Sequence, residues 1–151
     1  MKLLFVCLGN ICRSPMAEGV MKKLCAERKL KWDIDSAGLI DYHEGEQPDS
    51  RMITAAKRRG YTLSHRSRPV RQSDFDTFDL VIGMDGNNIR RLQSISPSNC
   101  KNKIRIISDF FVDIQGYSTV PDPYYGDMSD FDNVITLLED ACLGILKEYA
   151  E

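Results

Sequence analysis

Two short stretches of the chain are apolar at nearly every position: Lys2 to Cys7 (Lys-Leu-Leu-Phe-Val-Cys) and Asp79 to Met84 (Asp-Leu-Val-Ile-Gly-Met). Runs of this length bounded by polar residues predict strands buried on both faces, and therefore neighbours at the centre of a parallel sheet. Trp32 to Asp35 alternates apolar and polar residues, and Lys103 to Ile107 begins the same way before ending in an apolar pair. Both suit the outer positions of the sheet.

Helical spacing fills the intervals. Met16, Val20 and Leu24 share one face, as do Met52, Ile53 and Ala56, and a shorter segment surrounds Ile89 and Leu92. Asp49 is placed to cap the second of these helices and Gly60 to end it, with Lys57, Arg58 and Arg59 beside the negative end of its dipole. The clearest helical stripe comes last, with Val134, Leu137, Leu138, Ala141, Cys142, Ile145 and Tyr149 following an expected cap at Asp130. Alternating strands and helices predict a small α/β domain with a parallel sheet and right-handed crossovers. In such a sheet the ligand site lies beyond the carboxyl ends of the strands.

Composition narrows the class. Residues 1–151 are expected to form a single domain, since 42% apolar content over that length is enough for a sizeable core. Lysine and arginine number 20 against 22 acidic residues, which gives no electrostatic case for nucleic acid or an anionic membrane as partner. The apolar start breaks at Gly9-Asn10 and Arg13 follows, so it does not read as a targeting segment, and no stretch approaches the roughly 20 apolar residues of a membrane span. Five cysteines without a C-x-x-C pair argue against a disulfide framework and a structural zinc site. A reducing, cytoplasmic setting fits them best.

The chemistry concentrates after the first strand, in Cys7-Leu8-Gly9-Asn10-Ile11-Cys12-Arg13-Ser14-Pro15. Ser14 is an acceptable N-cap and Pro15 tolerates the first helical turn, so the helix starts here with its free amides aimed back at the loop, an anion-binding arrangement. Gly9 and Asn10 tolerate the positive φ that lets successive N–H groups converge on one phosphate, and Arg13 adds a planar fork. Those groups stabilise negative sulfur at Cys7, making it a nucleophile at neutral pH. The Ser14 hydroxyl is placed to donate to that sulfur. A nucleotide-binding P-loop is excluded, because the second glycine and the lysine of its motif are absent.

Two separated motifs, Cys7-Leu-Gly-Asn-Ile-Cys-Arg-Ser-Pro-Met-Ala-Glu18 and Asp122-Pro-Tyr-Tyr-Gly126, resemble the low-molecular-weight protein tyrosine phosphatases, and the resemblance spans the chain. It implies an α/β three-layer sandwich with a four-stranded parallel sheet of order 2-1-3-4 flanked by helices, and hydrolysis of phosphotyrosine-containing proteins or small aryl phosphates through a phosphocysteine, with phosphate as product and no metal or cofactor. Asp122 is then the general acid, a role its Asp-Pro turn would not otherwise reveal. The resemblance also implies that Asn10 shapes the loop through Ser36 and His65, which read alone are turn and solvated-loop residues. Asp85 either buttresses the phosphate loop or caps the helix that follows. Leu8, Ile11, Tyr42 and Tyr124 match positions at the pocket mouth. Tyr42 stands where many members have tryptophan, with His43 beside it, which bears on substrate preference.

Cys12 is by the same resemblance a redox partner of Cys7, or else a filler behind the loop. Tyr124 and Tyr125 match tyrosines that are phosphorylated in some members, or they shape the pocket. The protein is expected to be a monomer or weak dimer. Two other classes compete: a thiol-dependent arsenate reductase, whose electron relay would have to use Cys100 and Cys142, and a catalytically silent phosphate- or phosphotyrosine-binding module.

Overall fold

A computed structural model describes all residues, Met1–Glu151. Four parallel strands, β1 (Lys2–Cys7), β2 (Asp33–Gly38), β3 (Leu80–Gly83) and β4 (Ile104–Ile106), form one sheet in the order β2-β1-β3-β4. The helices are α1 (Arg13–Glu27), α2 (Ser50–Arg58), α3 (Asp74–Thr77), α4 (Gly86–Ile95) and α5 (Met128–Tyr149). The two apolar runs are the adjacent central strands, and the two alternating segments lie at the edges, as their patterns predict. No helix is long and apolar enough to cross a membrane.

The two-residue period of β1 separates two cores. Leu3, Phe5 and Cys7 face one side, where Leu80, Ile82 and Ile34 join residues of α1, α2 and α5. Leu4 and Val6 face the other, with Val81 and Ala37 against Phe75 and Phe78 around α3 and Leu92 of α4. Leu3, Leu4, Phe5 and Val6 are all fully buried. Each such side chain contributes about 1.5–3 kcal/mol, so neither face of β1 tolerates a polar residue. Cys7 therefore stands on the α1/α5 side of the sheet.

Helix boundaries depart from expectation in two places. Asp49 caps α2 by accepting from Arg51 N–H (2.9 Å), but the cap of α5 is Asp127, which accepts from the Ser129 and Asp130 amides. Asp130 instead returns a hydrogen bond to the Asp127 N–H at 2.9 Å, completing a capping box one turn earlier than the apolar stripe suggests. Ser14 is not a cap either. The helix begins at Arg13 with Cys12 at the capping position, and the Ser14 hydroxyl is turned into the site.

Gly144 sets how closely α5 approaches the rest of the molecule. A Cβ at this position would lie 1.7 Å from the carbonyl oxygen of Phe110, which belongs to backbone and cannot swing aside. Gly144→Ala should therefore destabilise the fold by about 3 kcal/mol despite its better helix propensity, because α5 must be displaced. Urea denaturation checks this, and a variant as stable as the parent would contradict the close approach.

Candidate active site

Cys7 ends β1 and Arg13 begins α1, so residues 8–12 form the turn between strand and helix at the carboxyl edge of the sheet. The N–H groups of Leu8, Gly9, Asn10, Ile11 and Cys12 have no acceptor within the protein. The carbonyls of Leu8, Gly9 and Ile11 are held from outside the turn. Leu39 N–H donates to Cys7 and Leu8 O, Ile40 N–H to Leu8 O, Asp49 N–H to Ile11 O at 2.8 Å, and Ser67 Oγ to Gly9 O at 3.0 Å. A row of donors with satisfied carbonyls behind it is an anion cradle, and the N-terminus of α1 adds to it.

Asn10 is the corner of the turn. Its φ of +57° lies in the left-handed region that disfavours most side chains, and its buried amide compensates. Nδ2 donates to Ser14 Oγ (2.8 Å) and Ser36 Oγ (3.0 Å), while Oδ1 accepts from the Arg68 N–H (3.0 Å). That backbone donor fixes the orientation of the amide, so His65 Nε2, 2.8 Å from the same oxygen, is also a donor. His65 Nδ1 in turn faces Glu18 Oε1 at 3.2 Å and Asp35 Oδ1 at 3.4 Å. Ser36 Oγ in turn donates a hydrogen bond to Glu18 Oε1 at 2.6 Å. Gly9 has no positive φ. Its hydrogen is needed because a Cβ there would lie 3.1 Å from the His43 ring.

Bond polarity reaches the thiol. Since Ser14 Oγ accepts from Asn10, its O–H is free to donate to Cys7 Sγ, 3.0 Å away. Arg13 is 3% exposed and commits its NH1 group to Asp85 Oδ2 (2.7 Å) and Val120 O (3.0 Å). Its Nε and NH2 have no hydrogen-bond acceptor, yet no side-chain polar atom of the protein is both sealed in and unpartnered, so this edge opens into the cleft. Burial pushes the guanidinium pKa down, but Cys7, Asp85 and Asp122 outweigh it and hold it above its usual value. Asp85 pairs with Arg13 through one oxygen and caps α4 through the other, which accepts from Asn88 N–H at 2.8 Å.

Asp122 lies across the cleft, with Oδ2 3.7 Å from Arg13 NH2 and Oδ1 accepting from Tyr124 N–H at 3.1 Å. Val120 N–H donates to Met84 O, which ties this segment to the end of β3. The cleft encloses about 340 Å³, with Cys7, Cys12 and Arg13 among its lining residues and Leu8, Ile11, Ile40, Tyr42 and Tyr124 as apolar lining. Tyr42 is 81% exposed and packs edge-on against the His43 ring, 4.8 Å between centroids. Burial first, then the charges of Asp49, Cys7 and Asp122, push the Cys12 thiol up and keep it protonated at neutral pH. Every residue anticipated at the site thus gathers within or around one cleft. Sequence reasoning passed over Glu18, Asp35, Ser67, Arg68 and Val120, which act through hydrogen bonds and ion pairs to groups brought together only by the fold. Only Glu18, inside the first motif, carried any signal.

The model of the low molecular weight phosphotyrosine protein phosphatase family matches residues 2–151. The chain belongs to that family. A Synechocystis protein bearing the same family name is 46% identical over 149 residues, covering 97% of this chain and 94% of its own. The low molecular weight phosphotyrosine protein phosphatase of Gallus gallus is 42% identical over 150 residues, with 97% and 94% covered. Among solved structures, a protein tyrosine phosphatase from Entamoeba histolytica with Hepes in its active site superposes with a TM-score of 0.97 at 49% identity, covering 99% of this chain and 97% of that one. These matches cover nearly the full length of the chain.

The Asn10 side chain can be tested apart from its backbone. Asn10→Gly relieves the positive φ but removes four hydrogen bonds, and should still cost about 2 kcal/mol of stability and weaken binding of inorganic phosphate. Denaturation and phosphate titration measure both, and a glycine variant equal to the parent in each would exclude the network as the support of the loop.

Proposed function

We propose that this family member hydrolyses aryl phosphate monoesters, phosphotyrosine among them, with Cys7 as nucleophile, Arg13 and the loop amides as the phosphoryl cradle, and Asp122 as general acid and base. The observation that carries the reading is one cleft lined by Cys7, the buried guanidinium of Arg13 and the solvent-facing carboxyl group of Asp122, beside a row of acceptor-free N–H groups. In the first step sulfur attacks phosphorus, the bond to the aryl oxygen breaks, and Asp122 in its acid form protonates that oxygen. Phenol leaves and phosphocysteine remains. In the second step water attacks phosphorus, its proton passes to the Asp122 carboxylate, and Cys7 departs as thiolate while Ser14 O–H donates to it. Charge on the transferring phosphoryl oxygens meets donors already in place, so little reorganisation is needed.

Leu8 and Ile11 offer apolar walls to an aromatic ring, and Tyr42 and Tyr124 are exposed faces on which it can stack. That favours aryl over alkyl esters. Cys12 remains a thiol beside the reactive sulfur, which suits a reversible Cys7–Cys12 disulfide that would spare Cys7 from deeper oxidation. Tyr125, at 97% exposure, is open to a kinase and Tyr124 much less so. All five cysteines are free, which favours a reducing, cytoplasmic setting, and we expect a monomer or weak dimer. The relay of an arsenate reductase finds no support: Cys100 and Cys142 are buried in separate cores on opposite faces of the sheet.

With chelator and reductant present, the wild-type protein should hydrolyse an aryl phosphate while Cys7→Ser binds phosphate without turnover. Activity in Cys7→Ser would remove the nucleophile; inactivity of both proteins would favour a binding module. Asp122→Ala should lower kcat/KM roughly 100-fold for an ester of a basic phenol and far less for an activated one. An equal loss for both esters would contradict the acid assignment.

A further inference from the structure

We infer that Arg51 is a positioning residue for the general acid, clamping the Asp122 segment to the phosphate loop through Tyr124; this rests on Asp122 being that acid. The segment needs such support. Asp122 and Tyr125 are exposed, Pro123 between them is buried, and the hydrogen bonds that tie the backbone to the rest of the fold lie at its ends, from Val120 N–H to Met84 O and at the Asp127 cap of α5. The aromatic neighbour of Tyr124 within the segment is Tyr125, which is 97% exposed and gives no fixed surface.

Arg51 supplies that surface. Its guanidinium carbon lies 5.3 Å from the Tyr124 ring centroid and 4.6 Å from that of Phe131, which is fully buried in the first turn of α5. The guanidinium is held in its plane by Asp49, with Nε to Oδ1 at 3.1 Å and NH2 to Oδ2 at 2.9 Å. A planar, bidentate cation resting on a fixed ring presents a rigid face to a second ring, which a flexible ammonium would not do.

Both ends of this chain of contacts reach reacting groups. Asp49 N–H donates to Ile11 O at 2.8 Å, inside the loop that cradles phosphate. Tyr124 N–H donates to Asp122 Oδ1 at 3.1 Å, which sets the direction of the carboxyl group. Five residues, Ile11, Asp49, Arg51, Tyr124 and Asp122, thus connect the nucleophile loop to the acid without passing through substrate. The contact between Arg51 and Tyr124 is the one link in this chain made by stacking. A side chain touching neither phosphate nor sulfur consequently governs the distance between the acid and the oxygen it protonates.

The test compares Arg51→Met, which keeps an apolar stem, with Arg51→Lys, which keeps the charge but not the fork, and reads kcat/KM for phosphoryl transfer. Both should lose roughly tenfold on phenyl phosphate and less than about twofold on an ester with an activated phenol, since displacement of a general acid matters when the departing oxygen is basic. Inhibition by inorganic phosphate should be unchanged, which separates displacement of the acid from collapse of the loop. Arg51→Met/Asp122→Ala should be no slower than Asp122→Ala alone. Equal losses on both esters, additivity in the double variant, weakened phosphate inhibition, or full activity of Arg51→Lys would each overturn the clamp. If Asp122→Ala itself shows no dependence on the leaving group, the acid assignment fails and this inference with it; if only the Arg51 variants lack it, the acid assignment stands.

Discussion

The site depends on one constraint: five successive peptide groups between Cys7 and Arg13 must turn their N–H groups to one side. Backbone does this only if the carbonyls on the other side are satisfied, and here the donors come from Leu39, Ile40, Ser67 and Asp49. The residue at the corner must also accept a left-handed conformation, which Asn10 does at φ +57°. Asparagine is a better choice than glycine because its amide joins four partners, from the Arg68 backbone to the Ser14 hydroxyl. One side chain thereby fixes the shape of the loop and the direction of the hydrogen bond to Cys7.

This constraint explains why segments remote in sequence converge here. β2 ends beside the loop and supplies Ser36 and the Leu39 and Ile40 amides, the segment before α2 supplies Asp49, and residues 65–68 supply His65, Ser67 and a backbone amide. Parallel pairing of β1 with β2, with Cys7 opposite Gly38, brings the first of these segments into reach. The loop is therefore a property of the whole sheet edge, and its rigidity is set by groups that never meet phosphate.

The architecture was legible in the sequence wherever burial alone decides it. Lys2–Cys7 and Leu80–Gly83 are central strands because no polar residue can be placed on either face, and the period of α5 shows which side packs inward. Cys7, Arg13 and the turn between them were legible because strand, loop and helix adjoin in the chain. Less legible were features decided by competition between two uses of one residue. Ser14 has the composition of a cap, yet its hydroxyl does more beside Cys7, where Asn10 and the sulfur satisfy both its acceptor and its donor capacity. Asp127 and Asp130 are both plausible caps, and their order is settled by where the backbone turns. Ser67, Arg68 and Val120 each reach the site through one hydrogen bond, which leaves no pattern in composition or spacing.

Arg13 shows how a buried charge is turned to account. An ion pair in a low-dielectric interior gains little net stability, because desolvating both groups cancels most of their attraction. The pair with Asp85 is better understood as geometry. Holding NH1 between Asp85 and the Val120 carbonyl stops rotation of a planar group, and planarity then fixes where Nε and NH2 point. The same Val120 leads into the segment that carries Asp122, so the free edge of the guanidinium and the backbone that carries Asp122 share one anchor. A substitution that freed NH1 would loosen both at once. The loss should therefore fall on phosphoryl transfer more heavily than on folding.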